Sequence, residues 1–250
     1  MTQEQEKSGE TALEGFAGYC VMIVVALFAF SFVFQNYIIP SGSMLNTILI
    51  GDHVVVDRTT FAKPAKWMPL VHYRPIRRGD IIVFIKPNET KSPLVKRVIG
   101  IPGDHIHLEN GTVYLNGKAQ TEPYVYKDDR APFQPYVDDF PRVPADEAMG
   151  VTEQWAAELP TRIQSGDLVV PEGKYFAMGD NREDSLDSRY WGFVPKENIL
   201  GRPMFVYWSY DMPEQEDEIT GIGARLQDFV HTALTFFQNT RWSRTLHRVV

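Results

Sequence analysis

The chain has 250 residues, a formal net charge of −7 and one cysteine. Proteins that bind nucleic acid need a basic surface to neutralise phosphates, so this charge argues against a nucleic-acid partner. The lone Cys20 excludes a disulfide within the chain and a cysteine-based metal site. The length predicts one main domain with a sizeable core.

A long apolar run dominates the N-terminal part. There is no Asp, Glu, Lys or Arg from Gly15 to Gly51. A helix over about residues 16–39 would be roughly 36 Å long, enough to cross a hydrocarbon core of about 30 Å. We expect a short tail at residues 1–14 and a transmembrane anchor at residues 15–38, ended by Pro40.

The tail does not look like the start of a cleaved secretory signal. It carries four Glu against one Lys, and the apolar run is too long for a signal core, which favours a retained anchor. The basic residues Arg58, Lys63 and Lys66 follow the run, so charge alone would place the larger domain on the cytoplasmic side.

Short β-branched runs bounded by Gly, Asp and Pro predict strands after the anchor. Asn110-Gly111 supplies the positive φ angles of a tight hairpin turn. His105 and His107 share one strand face and are interpreted as ordinary strand histidines, because further metal ligands are not close in sequence. We therefore predict a mainly β domain of antiparallel sheets over residues 39–211. The predicted strands cover residues 52–57, 79–85, 95–99, 105–109, 112–115, 166–170, 174–178 and 203–208.

Residues 128–165 form an acidic, Pro-rich insertion in this domain. Such a composition predicts a surface segment of partial order that adds little to the core, with one short helix near residues 152–159 capped by Thr152. We expect that replacing residues 131–144 by a Gly/Ser linker leaves the function of the domain largely intact.

Residues 212–250 predict a C-terminal amphipathic helix followed by a basic tail. Apolar residues from Ile222 to Phe237 recur at helical spacing. The apolar face either packs on the β domain or lies in a membrane interface, where Trp242, Arg244 and Arg248 would help to hold the domain at the bilayer.

Three ordered motifs carry a resemblance to a known family. They are Pro40-Ser41-Gly42-Ser43-Met44 followed by Gly51-Asp52, then Lys96-Arg97 before Gly-Ile-Pro-Gly-Asp104, and the block Met178–Pro195 that contains Gly179-Asp-Asn-Arg182. In order and spacing the chain resembles bacterial type I signal peptidases over about residues 38–208. It departs from them at Asn46, where many relatives have proline, and at Glu183-Asp184, where Asp-Asn is common.

A serine nucleophile needs a base, either His with Asp or a neutral Lys. The histidines lie outside any triad-like motif, and the Ser-x-x-Lys pattern is absent. The resemblance implies that Ser43 is the nucleophile and Lys96 the general base. It also implies that Ser41 and the Ser43 N–H bind the oxyanion and that Ser185 orients the amine.

A lysine base must lose its charge by desolvation. The apolar neighbours of Lys96 fit this requirement, and Arg97, on the opposite strand face, is expected to stay in water. By resemblance, Gly179 and Asp180 form a close-packed turn, and Asp187 with Arg189 forms an ion pair that supports the site. The residues that resemble the lining of the substrate pockets are Ile39, Pro40, Met44, Ile48 and Val95.

The resemblance implies cleavage of N-terminal signal peptides from exported preproteins after a small-x-small motif. Preprotein signal peptides and membrane lipid are then the partners, with no cofactor and no metal. The implied location is the bacterial cytoplasmic (inner) membrane, with a single span and the catalytic domain on the extracytoplasmic face, opposite to the orientation from charge.

Two other functions compete with a peptidase. One is a non-catalytic, membrane-anchored β-domain that serves as a scaffold or receptor, and it gives no reason for Ser41, Ser43, Lys96 and Ser185 to be present together. The other is a self-cleaving regulator of the SOS-repressor type, which also uses Ser and Lys. That class needs an upstream DNA-binding module, where we expect only the acidic tail.

Overall fold

The structure is a computed structural model, which describes residues 12–64, 72–87, 93–128, 130–145, 148–212 and 222–250. Most of the N-terminal tail, Lys66 and three acidic residues of the insertion lie outside these ranges. The side chains of the first two turns of the C-terminal helix also lie outside the described part.

The apolar run forms helix α1, Ala12–Val33, whose side chains are mostly exposed. Residues 13–33 are long and apolar enough to span a membrane. The helix ends earlier than predicted, because residues 34–38 form strand β1 rather than its last turn. This strand pairs with residues 52–57, from Phe34 opposite Asp57 to Ile38 opposite His53. Gln35 and Asn36 are polar and interrupt the apolar run, and pairing with residues 52–57 supplies hydrogen bonds for the backbone N–H and C=O groups there. The helix therefore ends at Val33, before Pro40.

The described ranges contain thirteen strands in two antiparallel sheets, which confirms the predicted mainly β fold. Asn110 and Gly111 have φ angles of 50° and 73°, as the hairpin requires. The strands are β1 Phe34–Ile38, β2 Asp52–Asp57, β3 Ile81–Ile85, β4 Pro93–Gly100, β5 His105–Glu109, β6 Thr112–Leu115, β7 Lys118–Ala119, β8 Ile163–Gln164, β9 Asp167–Val169, β10 Lys174–Met178, β11 Val194–Pro195, β12 Ile199–Ser209 and β13 His247–Arg248.

The larger sheet has the order β1-β2-β12-β3-β4-β10-β11, with β13 also paired to β12. The smaller sheet has the order β7-β6-β5-β9-β8. The larger sheet brings together β1, β4 and β10, which are distant in sequence, and these strands or the turns after them carry the three motifs.

The described part of the chain also contains four further α-helices, α2 Pro135–Asp138, α3 Glu153–Glu158, α4 Ser188–Trp191 and α5 Ile222–Asn239. Short 3-10 helices cover Leu159–Arg162, Lys196–Asn198 and Trp242–Arg244. The predicted short helix of the insertion is confirmed as α3. The Thr152 side chain caps it by accepting a hydrogen bond of 3.3 Å from the Trp155 N–H.

The expectation that the insertion adds little to the core is wrong. Phe140 and Trp155 are fully buried in the cluster that covers the smaller sheet, together with Tyr136 and Leu159. The Phe140 ring stacks on Phe176 with centroids 5.6 Å apart. Several of the apolar residues of this segment point inward, so its charged composition concealed a core contribution. A Gly/Ser linker over residues 131–144 would remove part of that core.

The C-terminal segment packs on the larger sheet and also exposes apolar surface. Trp208 donates from Nε1 to Thr240 Oγ1 at 3.1 Å, while Leu234 and Phe237 of α5 are exposed. Arg244 forms an ion pair of 2.6 Å with the buried Asp52. Arg244 is expected from the sequence to help hold the domain at the bilayer, but its charge is instead held by a carboxylate inside the domain.

The buried position of Phe140 predicts a large effect of its truncation. Phe140 is 0% exposed whereas Phe133, in the same insertion, is 55% exposed. We expect Phe140→Ala to lower the free energy of unfolding by about 3–5 kcal/mol, through lost burial and a residual cavity. The matched control Phe133→Ala should change it by less than about 1 kcal/mol. Denaturant unfolding in detergent measures both, and equally small effects would show that the insertion is peripheral.

Candidate active site

Ser43 lies in the turn that connects β1 to β2. Within this turn the Leu45 N–H donates to Gly42 O at 3.1 Å and the Ile48 N–H donates to Met44 O at 2.9 Å. The side chains of Met44 and Ile48 are buried in the core of the larger sheet and hold the turn to it. Ser43 itself is half-buried.

Lys96 lies on β4, where it pairs with Ile82 of β3. Its side chain crosses to the serine turn, and Nζ lies 2.6 Å from Ser43 Oγ. The residue is only 3% exposed. The fold therefore brings the two predicted catalytic side chains into hydrogen-bond contact across 53 positions of sequence.

Burial lowers the pKa of Lys96 to about 8, and the nearby Arg189 acts in the same direction. The carboxylates of Asp187 and Asp180 oppose this shift without cancelling it. With such a pKa about one amine in ten is neutral at pH 7, against fewer than about one in a thousand for a free lysine. The site thus keeps a usable fraction of neutral amine beside the serine hydroxyl.

The turn after β10 holds the serine turn through its backbone. The Asn181 N–H donates to Ser43 O at 3.1 Å, and Asn181 Nδ2 donates to Gly42 O at 3.3 Å. Gly179 packs so closely that a Cβ there would lie 2.5 Å from Ser43 O and 2.3 Å from Ser185 Oγ. Sequence reasoning identified the motif but assigned no role to Asn181, whose contacts depend on the folded chain.

Asp180 joins three segments through one carboxylate. Arg97 donates to it from Nε at 2.8 Å and from Nη2 at 2.7 Å, and Thr47 Oγ1 donates at 2.5 Å. The expectation that Arg97 remains in water is wrong, since it is 3% exposed. Alternation along β4 places it opposite Lys96 as predicted, but that side is covered by Tyr124, whose ring centroid lies 3.9 Å from the guanidinium.

Asp187 and Arg189 form a fully buried ion pair, with contacts of 2.9 and 2.8 Å from Arg189 Nε and Nη2. Burial by itself raises the pKa of Asp187, but the guanidinium and the Gly179 N–H, at 3.1 Å, outweigh it and leave the pKa below its usual value. This pair therefore fixes Gly179, and through it the packing against Ser43.

Two aromatic residues of the insertion form hydrogen bonds to the backbone of this ion pair. Tyr136 donates its hydroxyl to Arg189 O at 2.5 Å, and Trp155 Nε1 donates to the same oxygen at 2.9 Å. Neither residue was identified from the sequence. Their only available signal was aromatic character within an acidic segment, which does not indicate what the aromatic side chains contact.

An apolar cavity of about 300 Å³ opens beside Ser43 and Lys96. Four of the five predicted substrate-binding residues line it, whereas Ile48 lies in the core behind the turn and does not. Ser41 lines the cavity too, and the sequence reading missed several lining residues. The full lining is Tyr37, Ile38, Ile39, Pro40, Ser41, Ser43, Met44, Val83, Pro93, Leu94, Val95 and Lys96.

Ser185 lies next to Gly179 but forms no hydrogen bond with the Lys96 amine. Its Oγ is buried and has no hydrogen-bond partner in the part of the chain that the structure describes. An unpartnered buried hydroxyl costs about 1–3 kcal/mol, which calls for an explanation at this position.

Asn46 lies in the serine turn at a position where many relatives have proline, and it has a φ angle of 76°. Proline is fixed near −65° and cannot adopt this conformation, whereas asparagine visits it at modest cost. Asparagine therefore suits the backbone conformation that this turn adopts, whereas proline does not.

The predicted strand histidines His105 and His107 lie on the smaller sheet, beside Asp167. His107 Nδ1 lies 2.6 Å from Asp167 Oδ1 and His105 Nδ1 lies 3.9 Å from Asp167 Oδ2, on the smaller sheet. No group of three potential metal ligands occurs among the described residues.

A serine hydroxyl set against a buried amine, beside an apolar cavity at the edge of a β-sheet, is the arrangement of a serine peptidase. The chain belongs to the signal peptidase family, peptidase S26, whose sequence model matches residues 13–208. It is thus a serine peptidase of that family.

Similar proteins agree with this assignment. The chain is 33% identical to a signal peptidase I of Bacillus caldolyticus, over 84% of this chain and 96% of the relative. It is 31% identical to a signal peptidase I of Leptolyngbya laminosa, over 82% and 83%. A solved signal peptidase I from Enterococcus faecalis is 32% identical and matches 52% of this chain and 97% of its own, with a TM-score of 0.34, an overlap too low to define the fold.

The close packing at Gly179 predicts that any side chain there displaces the site. We expect Gly179→Ala to reduce cleavage by roughly tenfold or more, because a methyl group must push Ser43 O or Ser185 away and small displacements of reacting groups are costly. Gly42→Ala is the stability control, since its methyl group would meet no atom closer than 3.5 Å. Cleavage rates and thermal unfolding are measured together, and a fully active Gly179→Ala enzyme would contradict the packing.

Proposed function

We propose that Ser43 is the nucleophile and Lys96 the general base with which this serine endopeptidase cleaves signal peptides. The observation that carries the proposal is the 2.6 Å contact between Lys96 Nζ and Ser43 Oγ in a site where the amine is buried. A scaffold or receptor has no use for a buried, readily neutralised amine at this position, so the catalytic function is the better supported one.

In the proposed reaction the neutral amine accepts the Ser43 proton as Oγ attacks the scissile carbonyl carbon. Negative charge then develops on the carbonyl oxygen. We assign its stabilisation to the Ser41 hydroxyl, which lines the cavity, and to the Ser43 N–H. The protonated Lys96 gives its proton to the leaving amine, and an acyl-enzyme remains on Ser43.

Deacylation repeats these roles with water as the nucleophile. Lys96, neutral again, accepts a proton from water as the water oxygen attacks the acyl carbon, and then returns the proton to Ser43 Oγ. We propose that Ser185 orients the amine during this cycle. Its buried and unpartnered hydroxyl, held next to Gly179 by close packing, supports that role.

The cavity supports binding of an extended peptide with small side chains. β1 is the outermost strand of the larger sheet, and its Ile38 is exposed beside the cavity, so a substrate backbone can pair along this edge. A cavity of about 300 Å³ that also admits the peptide backbone leaves room only for small residues. We therefore propose cleavage after a small-x-small motif of an exported preprotein.

We propose that α1 anchors the enzyme in the bacterial cytoplasmic membrane as a single span, with the β domain on the extracytoplasmic face. The exposed apolar helix supports the anchor, and β1 follows it directly, so the active site is held near the bilayer. Preprotein signal peptides enter from the same membrane, which makes this location suitable for the reaction.

The sharpest test of the dyad is Lys96→Arg. Arginine keeps the positive charge but cannot supply a neutral base, so we expect a loss of roughly a thousandfold or more, as for Ser43→Ala and Lys96→Ala. Preprotein cleavage is followed by mass spectrometry, which also reports the cleavage position. Lys174→Arg, on the same domain but outside the site, is the matched control. Substantial activity in folded Lys96→Arg enzyme would reject the lysine base.

The lowered pKa of Lys96 predicts the pH dependence. Because the base must be neutral, kcat/KM should rise about tenfold per pH unit on the acid side and level off above pH about 8. The profile is measured with a peptide substrate, after subtraction of the Ser43→Ala background. A midpoint near pH 6.5 would indicate a histidine base instead, and a flat profile between about pH 5 and 9 would exclude both bases.

A further inference from the structure

A second groove, of about 390 Å³, lies on the larger sheet and shares no lining residue with the active-site cavity. It is formed by β12 and the C-terminal tail, and its lining residues are Arg202, Met204, Phe205, Leu246 and Arg248. The groove thus combines two cations with an apolar floor, and neither feature is used in peptide cleavage.

The strand register places this groove at the end of the sheet that adjoins α1. Arg202 pairs with Asp57, which pairs with Phe34, the residue directly after the helix. Arg248 pairs with Phe205, which lies opposite Val55, two positions along β2 from Asp57. Along the strand direction, the backbone positions of Arg202 and Arg248 are therefore roughly 7 Å apart. This separation is comparable to the depth of one lipid headgroup layer, roughly 5–8 Å.

The charges of the groove are not neutralised by the protein. Arg202 and Arg248 form no ion pair within the described ranges, in contrast to Arg97, Arg189 and Arg244, each of which is bound to a buried carboxylate. Arg58 adds an exposed cation at the same end, because its N–H donates to Val33 O, the last residue of α1, at 2.9 Å. An anion with several oxygens suits such a set of guanidinium groups.

Leu246 supplies an independent observation. It has a φ angle of 63°, a conformation that glycine adopts freely and leucine does not, yet its side chain is 74% exposed. A strained backbone that directs an apolar side chain into solvent gains nothing within the folded domain. Such strain is characteristic of a residue held in place for a contact with a ligand.

We propose that this groove binds the headgroup of an anionic phospholipid. The guanidinium groups of Arg202 and Arg248 contact the phosphate, and Leu246 with Phe205 packs against the glycerol and the first methylenes of the acyl chains. A zwitterionic lipid binds less well, since its ammonium group faces the same cations. The site goes beyond signal-peptide cleavage and would hold the sheet against the bilayer at a fixed orientation.

The test uses the full chain in detergent and native mass spectrometry to measure retention of dioctanoyl phosphatidylglycerol. Dioctanoyl phosphatidylcholine and inorganic phosphate are the comparison ligands. We expect phosphatidylglycerol to bind best, and Arg202→Gln/Arg248→Gln to weaken it by about tenfold or more. The matched control is Arg130→Gln/Arg142→Gln, which removes two exposed arginines from the insertion and should leave retention unchanged.

Leu246→Gly separates ligand contact from fold stability. Glycine relaxes the backbone, so thermal stability should be unchanged or higher while phosphatidylglycerol retention falls. Peptide cleavage in detergent confirms that every variant is folded, and it tests the catalytic proposal separately. Equal retention by the wild type and the double arginine variant, equal binding of both lipids, binding of inorganic phosphate as tight as of phosphatidylglycerol, or unchanged retention by Leu246→Gly would overturn the proposal.

Discussion

The desolvation of one amine is the constraint on which the rest of this structure depends. In the proposed reaction Lys96 can act on Ser43 only while it is largely removed from water, because a hydrated lysine keeps its proton at neutral pH. Burial of the protonated amine is unfavourable. The surrounding sheet must therefore be rigid enough to keep the amine buried. The position of Lys96 between paired strands of the larger sheet provides that rigidity.

Two buried ion pairs hold the serine turn against this amine. Arg97 with Asp180 ties β4 to the turn after β10, and Arg189 with Asp187 fixes Gly179 in that same turn. Loss of one partner from a buried pair costs roughly 3–5 kcal/mol, because it leaves an uncompensated charge. The same carboxylates raise the pKa of Lys96. Their full pairing with arginines limits this effect, so the support of the site is compatible with a lowered pKa of the amine.

The insertion and the C-terminal tail also form contacts that support the site. The insertion donates two hydrogen bonds to Arg189 O through Tyr136 and Trp155. The C-terminal tail brings Arg244 to Asp52, whose carboxylate also accepts from the Leu49 N–H of the serine turn at 2.9 Å. Both segments therefore stabilise the geometry of the site, although neither lies beside the reacting atoms.

Local patterns were sufficient for the features that depend on neighbouring residues. The apolar run, the β-branched strands, the Asn110-Gly111 hairpin and the Thr152 cap could all be predicted, because each arises from interactions within a few positions. The motif resemblance also pointed to Ser43 and Lys96, which the fold brings into hydrogen-bond contact. These signals act at short range or through a recognisable order of residues, and they define the fold class and the type of chemistry.

Features that depend on long-range pairing could not be read in this way. Residues 34–38 carry no charge and directly follow the apolar run, yet they form a strand because β2 returns beside them. Arg97 has the composition and alternation of a solvent-facing residue, but Asp180, 83 positions away, closes over it. Phe140 and Trp155 are buried despite their acidic surroundings. In each case the environment is created by residues far along the chain, and sequence distance carries no information about it.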